Sequence, residues 1–182
     1  MSRAVLSIGS NVGDRLAHLQ SVCDGLAPAV QSVSAVFATA PWGGVAQEDF
    51  FNAVLVVDDP DVDADGWLRR GHELEAAADR TREVRWGPRT LDVDVVAVED
   101  DDGRAVVSDD PVLTLPHPRA AERAFVLIPW LDAEPQATLW TAAGATSVIA
   151  LVERLDRAEV DGVRPTDRTL ALPTPDVSGT GT

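Results

Sequence analysis

The sequence predicts an α+β protein: a ferredoxin-like split-βαβ fold, in which an antiparallel sheet of order βαββαβ carries helices on one face, in a single domain. Three observations lead there. Apolar runs with strand character stand at residues 3–9, 30–38, 50–57 and 91–99. Stretches with helical spacing of apolar residues follow the first and the third of these runs. The chain has 182 residues, 45% of them hydrophobic, which suits one ordinary core. Element order alone leaves the activity open, because unrelated functions share this fold.

Arg3 to Gly9 reads as a short buried strand, and Gly9-Ser10-Asn11 as a turn. The run Gly-Ser-Asn-x-Gly-Asp lacks the lysine and the spacing of a phosphate loop, which favours a structural turn. In the helix that follows, Leu16, Leu19, Cys23 and Leu26 share one face. Asn11 or Asp14 caps its start and Pro28 stops it. Cys23 is the only cysteine; it has no partner for an internal disulfide and reads as a small core residue. Val30 to Ala38 alternates as a second strand. Thr39 to Gln47 is rich in turn formers: either a plain connection, or a loop that offers backbone amides and carbonyls to a flat ligand.

Phe50 to Val57 is the third strand, with Asn52 either a loop-end residue or an amide able to pair with the edge of a heterocycle. After an acidic connection, residues 67–78 read as a helix with Trp67, Gly71, Leu74 and Ala78 on one stripe. Leu68, His72 and Glu75 form the neighbouring stripe, where His72 reads as a surface residue. Asp79 to Val84 has no apolar periodicity and is expected to be a mobile loop. Leu91 to Glu99 is the fourth strand, turned by Asp100–Gly103 into a return strand over 104–107. His117 follows between two prolines, and Arg119 and Arg123 are i, i+4 on a short helix. Phe125 to Leu131 is apolar, and residues 147–155 read as a further helix. The domain is expected to span 1–164, with 165–182, rich in Pro, Thr and Gly, as a disordered tail.

The formal net charge is −15, a poor basis for general nucleic-acid binding. No apolar run is long enough to span a bilayer and the N-terminus does not read as a signal peptide, so a cytoplasmic protein is expected. All 15 basic residues are arginine, and Arg80, Arg82, Arg85, Arg89, Arg119 and Arg123 crowd between residues 80 and 123. Such a cluster is needed to overcome the overall field if the ligand is an anion.

The stretch Arg85-Trp86-Gly87-Pro88-Arg89-Thr90-Leu91-Asp92-Val93-Asp94 concentrates the chemistry. On a strand Asp92 and Asp94 point the same way, roughly 6–7 Å apart. Two carboxylates on one face repel unless a cation lies between them, and magnesium is the ion suited to carboxylates plus substrate phosphates. Arg85 and Arg89 are fork-shaped donors matched to phosphate oxygens, on either side of a Gly-Pro turn. The pattern points to a Mg-nucleotide site at the start of a strand; the plain alternative is a solvated strand face.

RWGPRTLDVD and LTLPHPRAAERAFVLIP resemble the two strongest motifs of the hydroxymethyl-dihydropterin pyrophosphokinases, enzymes of folate synthesis. LSIGSNVGDR, TAPWGG with FFNAV, and LEAAADRTR resemble further parts of that family in the same order, over roughly residues 1–135. The resemblance implies Mg-dependent transfer of pyrophosphate from ATP to the hydroxymethyl group of a dihydropterin, giving AMP. It implies that Asp92 and Asp94 hold two Mg ions, with Asp92 also beside the pterin. It implies a catalytic role for Arg80, Arg82 and Arg89, and triphosphate contacts from Arg82, Trp86, Arg89, His117 and Arg123. Leu68, His72, Glu75, Val95, Leu113 and Thr114 fall where the family receives adenosine. Thr39, Pro41, Trp42, Phe50, Asn52 and Phe125 fall where it receives the pterin, an aromatic pair sandwiching the ring. Partners are then small molecules, with no nucleic acid or membrane, and a monomer is favoured.

The chain departs from the family pattern at three positions. Phe50 stands where some members have tyrosine, Val112 where some have a phosphate-binding arginine, and Pro118 where some have an aromatic hydroxyl. Stacking survives the first change, and Arg119 is placed to compensate the second. The competing class is a non-catalytic ferredoxin-like module that binds Mg-nucleotide; it accounts for Asp92, Asp94 and the arginines but not for a separate pterin-like pocket.

Overall fold

The computed structural model of the chain describes residues 2–41, 48–78 and 90–172. The main sheet is built from β1 (Ser2–Ser10), β2 (Val30–Val33), β3 (Phe37–Thr39), β4 (Phe50–Asp59) and β5 (Asp92–Glu99). Helix α1 (Arg15–Gly25) follows β1, and α2 (Ala64–Ala77) connects β4 to β5. All pairings are antiparallel, and β4 and β1 lie between β3 on one side and β5 at the other edge. This is the split-βαβ order that the sequence predicts.

Side-chain alternation divides the sheet between two cores. Ala4, Leu6, Ile8, Leu55, Val57, Val93 and Val95 face α1 and α2, where Leu19, Val22, Cys23 and Trp67 are buried. Asp14, rather than Asn11, caps α1 by accepting from the Ala17 N–H, and the helix ends before Pro28. The Trp67 indole N–H donates to Ser2 Oγ at 2.9 Å, which satisfies its polar atom within the core. Burial also pushes the Cys23 thiol up to about 11. A thiol reagent at pH 8 should therefore find no reactive group in the native protein and one after denaturation; prompt native-state labelling would contradict the burial.

The opposite face is also covered, which the sequence did not predict. Val5, Val54 and Val96 pack against α3 (Ala124–Ala133), through Val126, Leu127 and Trp130. Between β5 and α3 lie the short strands β6 (Ser108–Asp109) and β7 (Thr114–Leu115), paired with one another. Beyond α3 come the hairpin β8 (Thr138–Thr141) and β9 (Gly144–Ser147), then α4 (Val148–Val152) and α5 (Arg157–Gly162). The single-face arrangement of helices is thus corrected to a sheet covered on both sides.

Three further expectations are corrected. Residues 30–38 form two strands because Ser34 Oγ accepts the Val54 N–H and Asp132 of α3 takes the Ala35 N–H, which breaks the ladder. The return strand over 104–107 reduces to one bridge between Glu99 and Ala105, although the turn itself forms, with Gly103 at φ 71. The chain after residue 164 is tied down as far as 172. β10 (Arg164–Pro165) pairs with β3, Leu170 is buried in the α1/α2 core, and Gln20 of α1 bonds the Ala171 backbone in both directions. The apolar run Leu170-Ala171-Leu172 is too short to carry a periodicity, which is why this strap was not legible; residues 173–182 lie outside the described part. Among the described residues no helix is long and apolar enough to cross a membrane.

Candidate active site

Asp92 and Asp94 stand on β5, the edge strand of the main sheet. Val93 and Val95 point into the α1/α2 core, so alternation turns both carboxylates to the α3 side. Both are half-buried. Arg123 sits at the N-cap of α3 and brings Nη1 to 3.4 Å from Asp94 Oδ2. The same guanidinium lies over the Phe125 ring, 5.6 Å from its centroid. Arg123 therefore joins the carboxylate pair to an aromatic wall.

The expected i, i+4 pairing of Arg119 and Arg123 on a helix is not realised. Only a 3-10 turn forms, over Ala120–Glu122, leaving Arg119 exposed while Arg123 turns inward to Asp94. His117 lies between them and β5. Its N–H donates to the Val96 carbonyl at 2.8 Å, which fastens this segment to the strand. The Arg119 N–H donates to His117 Nδ1 at 3.2 Å, so the neutral ring carries its proton on Nε2. Burial lowers the His117 pKa; Asp94 opposes this, and the charges of Arg123 and Arg119 add to it. At neutral pH His117 is a neutral donor beside two cations.

Strand register builds the rest of the site. Gly9 pairs with Asn52 on one side and Asp92 on the other, and Asn52 in turn pairs with Phe37. Residues directly opposite in antiparallel strands share a face. Asp92, Gly9 and Asn52 therefore form one row across three strands, on the α3 side. Asn52 is 5% exposed, and its Nδ2 donates to Thr39 Oγ1 at 2.9 Å. Thr39 pairs with Phe50, one step further along. Pro41, Phe50 and Phe125 are partly buried. The structure thus brings Thr39, Phe50, Asn52, Asp92 and Phe125 to one end of one sheet face.

The residues assigned to adenosine lie elsewhere. Leu68, Val95 and Leu113 belong to the core on the α2 side, so a nucleotide reaching both groups must pass around the edge strand β5. Leu68 and His72 line a surface hollow of about 380 Å³ with Ala76 and Val112. His72 is exposed, as expected; Thr114 is half-buried, with Oγ1 donating to the Asp110 carbonyl. Val95 is only 5% exposed and offers little surface. Glu75 is 4% exposed, with Oε1 accepting the Val93 N–H at 2.9 Å, between the two aspartates in sequence. Trp42, Arg80, Arg82, Arg85, Trp86 and Arg89, and the expected mobile loop over 79–84, lie outside the described residues.

Among the described residues no group of three or more His, Cys, Asp and Glu side chains could hold a metal. Asp92 and Asp94 offer two carboxylates on one face of β5. That suits magnesium, which binds through one or two carboxylates and takes its remaining ligands from water and substrate phosphates.

Comparison with known proteins decides the family. A profile of the family described as 7,8-dihydro-6-hydroxymethylpterin-pyrophosphokinase (HPPK) matches residues 5–135. The chain belongs to that family. The 2-amino-4-hydroxy-6-hydroxymethyldihydropteridine pyrophosphokinase of Mycobacterium leprae is 50% identical, over 94% of this chain and 93% of its own. The protein of the same name from Mycobacterium tuberculosis is 49% identical, over 90% of this chain and 89% of its own. Among solved structures, an HPPK-DHPS chain of Plasmodium falciparum superposes with a TM-score of 0.63 over 90% of this chain at 11% identity, which speaks to the fold alone. This chain spans about half of that one, 48% of its length. Family membership makes the protein an ATP-using pyrophosphokinase and sets aside the reading as a non-catalytic nucleotide module.

Proposed function

We propose that the chain transfers pyrophosphate from ATP to the hydroxymethyl group of 6-hydroxymethyl-7,8-dihydropterin, in folate synthesis, as a cytoplasmic enzyme acting as a monomer. The observation that carries this reading is the row Asp92–Gly9–Asn52, which puts a carboxylate pair and a buried amide on one sheet face, in a chain of this family.

In this reading Asn52, oriented by Thr39, pairs with the heterocycle edge, and Phe50 and Phe125 stack on its faces. Offset stacking of this kind adds about 0.5–1.5 kcal/mol beyond burial. Asp92 and Asp94 would hold two Mg ions, which when bound neutralise the triphosphate and orient the reacting oxygens. His117 donates from Nε2 to a phosphate oxygen. Arg123, paired with Asp94 in the free protein, is placed to exchange that carboxylate for phosphate. Arg80, Arg82 and Arg89 complete the cationic set, with Trp86 alongside. Leu68, His72, Glu75, Val95, Leu113 and Thr114 mark the adenosine side. The substrate hydroxyl oxygen attacks the β-phosphorus, the bond to the α-phosphate oxygen breaks, and AMP leaves. The hydroxyl proton passes to solvent or to a phosphate oxygen.

Phosphorus NMR of a reaction containing ATP, Mg and the hydroxymethyl-dihydropterin tests this. AMP and a pterin diphosphate should appear in equal amounts; ADP as the main nucleotide product would overturn the reading.

A further inference from the structure

Gly9 lies inside β1, with Asn52 directly opposite on β4 and Asp92 directly opposite on β5. A glycine within a strand weakens it relative to alanine and commonly marks a close approach of ligand or backbone. Its backbone does not demand glycine here. The described glycines with positive φ are Gly13, Gly103 and Gly144, and Gly9 is not among them. A side chain would be required to stand between Asn52 and Asp92, on the face that carries both. A Cβ built there comes 3.3 Å from Asn52 Oδ1 and 4.0 Å from Cδ1 of Phe50. It would narrow the one gap in the row.

The two flanking polar residues are two strand spacings apart, roughly 9.5 Å between backbones. That matches a flat bicyclic heterocycle with a one-carbon arm, recognised by an amide at one end and reacting beside a carboxylate at the other. We infer that Gly9 is a specificity-determining residue: its missing side chain is the lane in which the pterin ring lies between Asn52 and Asp92. The inference rests on the pterin reading above and adds to it the residue that sets the floor of the site. The adenosine-side residues Leu68, Val95 and Leu113 belong to the core on the other face of the sheet, away from this lane.

Gly9→Ala is the direct test, with pterin binding measured by fluorescence titration in the presence of Mg and a non-hydrolysable ATP analogue. The pterin dissociation constant should rise on the order of tenfold or more, while the analogue alone binds as to the unaltered protein. Pterin binding equal to that of the unaltered protein overturns the inference. So does a loss of thermal stability with unchanged pterin affinity, which would make Gly9 only a seat for Asn52. If the variant does not fold, NMR of the unaltered protein decides: the Gly9 Hα signals should move by ring-current shift on pterin addition, and unmoved signals overturn the lane. Failure of the unaltered protein to bind the pterin at all would instead overturn the parent reading.

Discussion

Replacing Asp92 or Asp94 by alanine is expected to cost turnover on the order of 3–5 kcal/mol each, the scale of losing a main electrostatic contact to the transition state. The two losses should not add. Both carboxylates leave the same face of β5, one residue apart, and Arg123 already bridges from Asp94 to the aromatic wall at Phe125. If the pair holds magnesium as proposed, either removal would take away one ligand position and shift the ion shared with the other. Residues acting as a unit are non-additive, so the double change should cost much less than the sum. A double-mutant cycle on turnover at saturating Mg, ATP and pterin measures this, with circular dichroism to confirm folding. Near-normal turnover in a single variant removes that residue from the site, and full additivity means that the carboxylates work independently. Manganese affinity, read by EPR without turnover, should fall in both single variants.

What the sequence disclosed follows from the range of the physics involved. The common orientation of Asp92 and Asp94 needs only the two-residue period of a strand, which is local, and the structure has both on one face. The stripe Trp67–Gly71 on α2 was equally readable, and both residues are buried. The alignment of Asn52 with Gly9 and Asp92 was not readable, since it depends on the register of strands more than forty residues apart. The sequence suggests that the first strand ends and a turn begins at Gly9; pairing extends β1 through Ser10 and puts Gly9 inside the strand. Arg119 and Arg123 failed for another reason. Helical spacing was taken to give a shared face, but the His117 N–H is tied to β5, its ring and carbonyl accept the Arg119 and Ala120 N–H groups in a tight turn, and only three residues become helical, as a 3-10 turn. The second layer of helices escaped because α3 is apolar nearly all round, so its sequence names no particular face to bury.

Glu75 offers the sharpest separation of scaffold from chemistry. The family resemblance puts it beside adenosine, yet the structure buries it to 4% exposure, with Oε1 on the Val93 N–H at 2.9 Å. That amide lies between the two aspartates, on the outer edge of β5, where no neighbouring strand of the main sheet can take it. Glu75→Ala should leave a buried donor unsatisfied, at about 1–3 kcal/mol of stability. In a chain of this size each 1 kcal/mol is worth roughly 2–4 °C in Tm. Glu75→Gln keeps an oxygen acceptor at the same reach and should recover most of that loss. Turnover should follow the same order, alanine below glutamine, because the register of β5 sets where both carboxylates stand. Hydrogen exchange at the Val93 amide separates this from a direct adenosine contact: exchange should accelerate in the alanine variant and stay slow in the glutamine variant, with or without nucleotide. If both variants are equally impaired while the Val93 amide stays protected, Glu75 acts on the nucleotide and not through the strand.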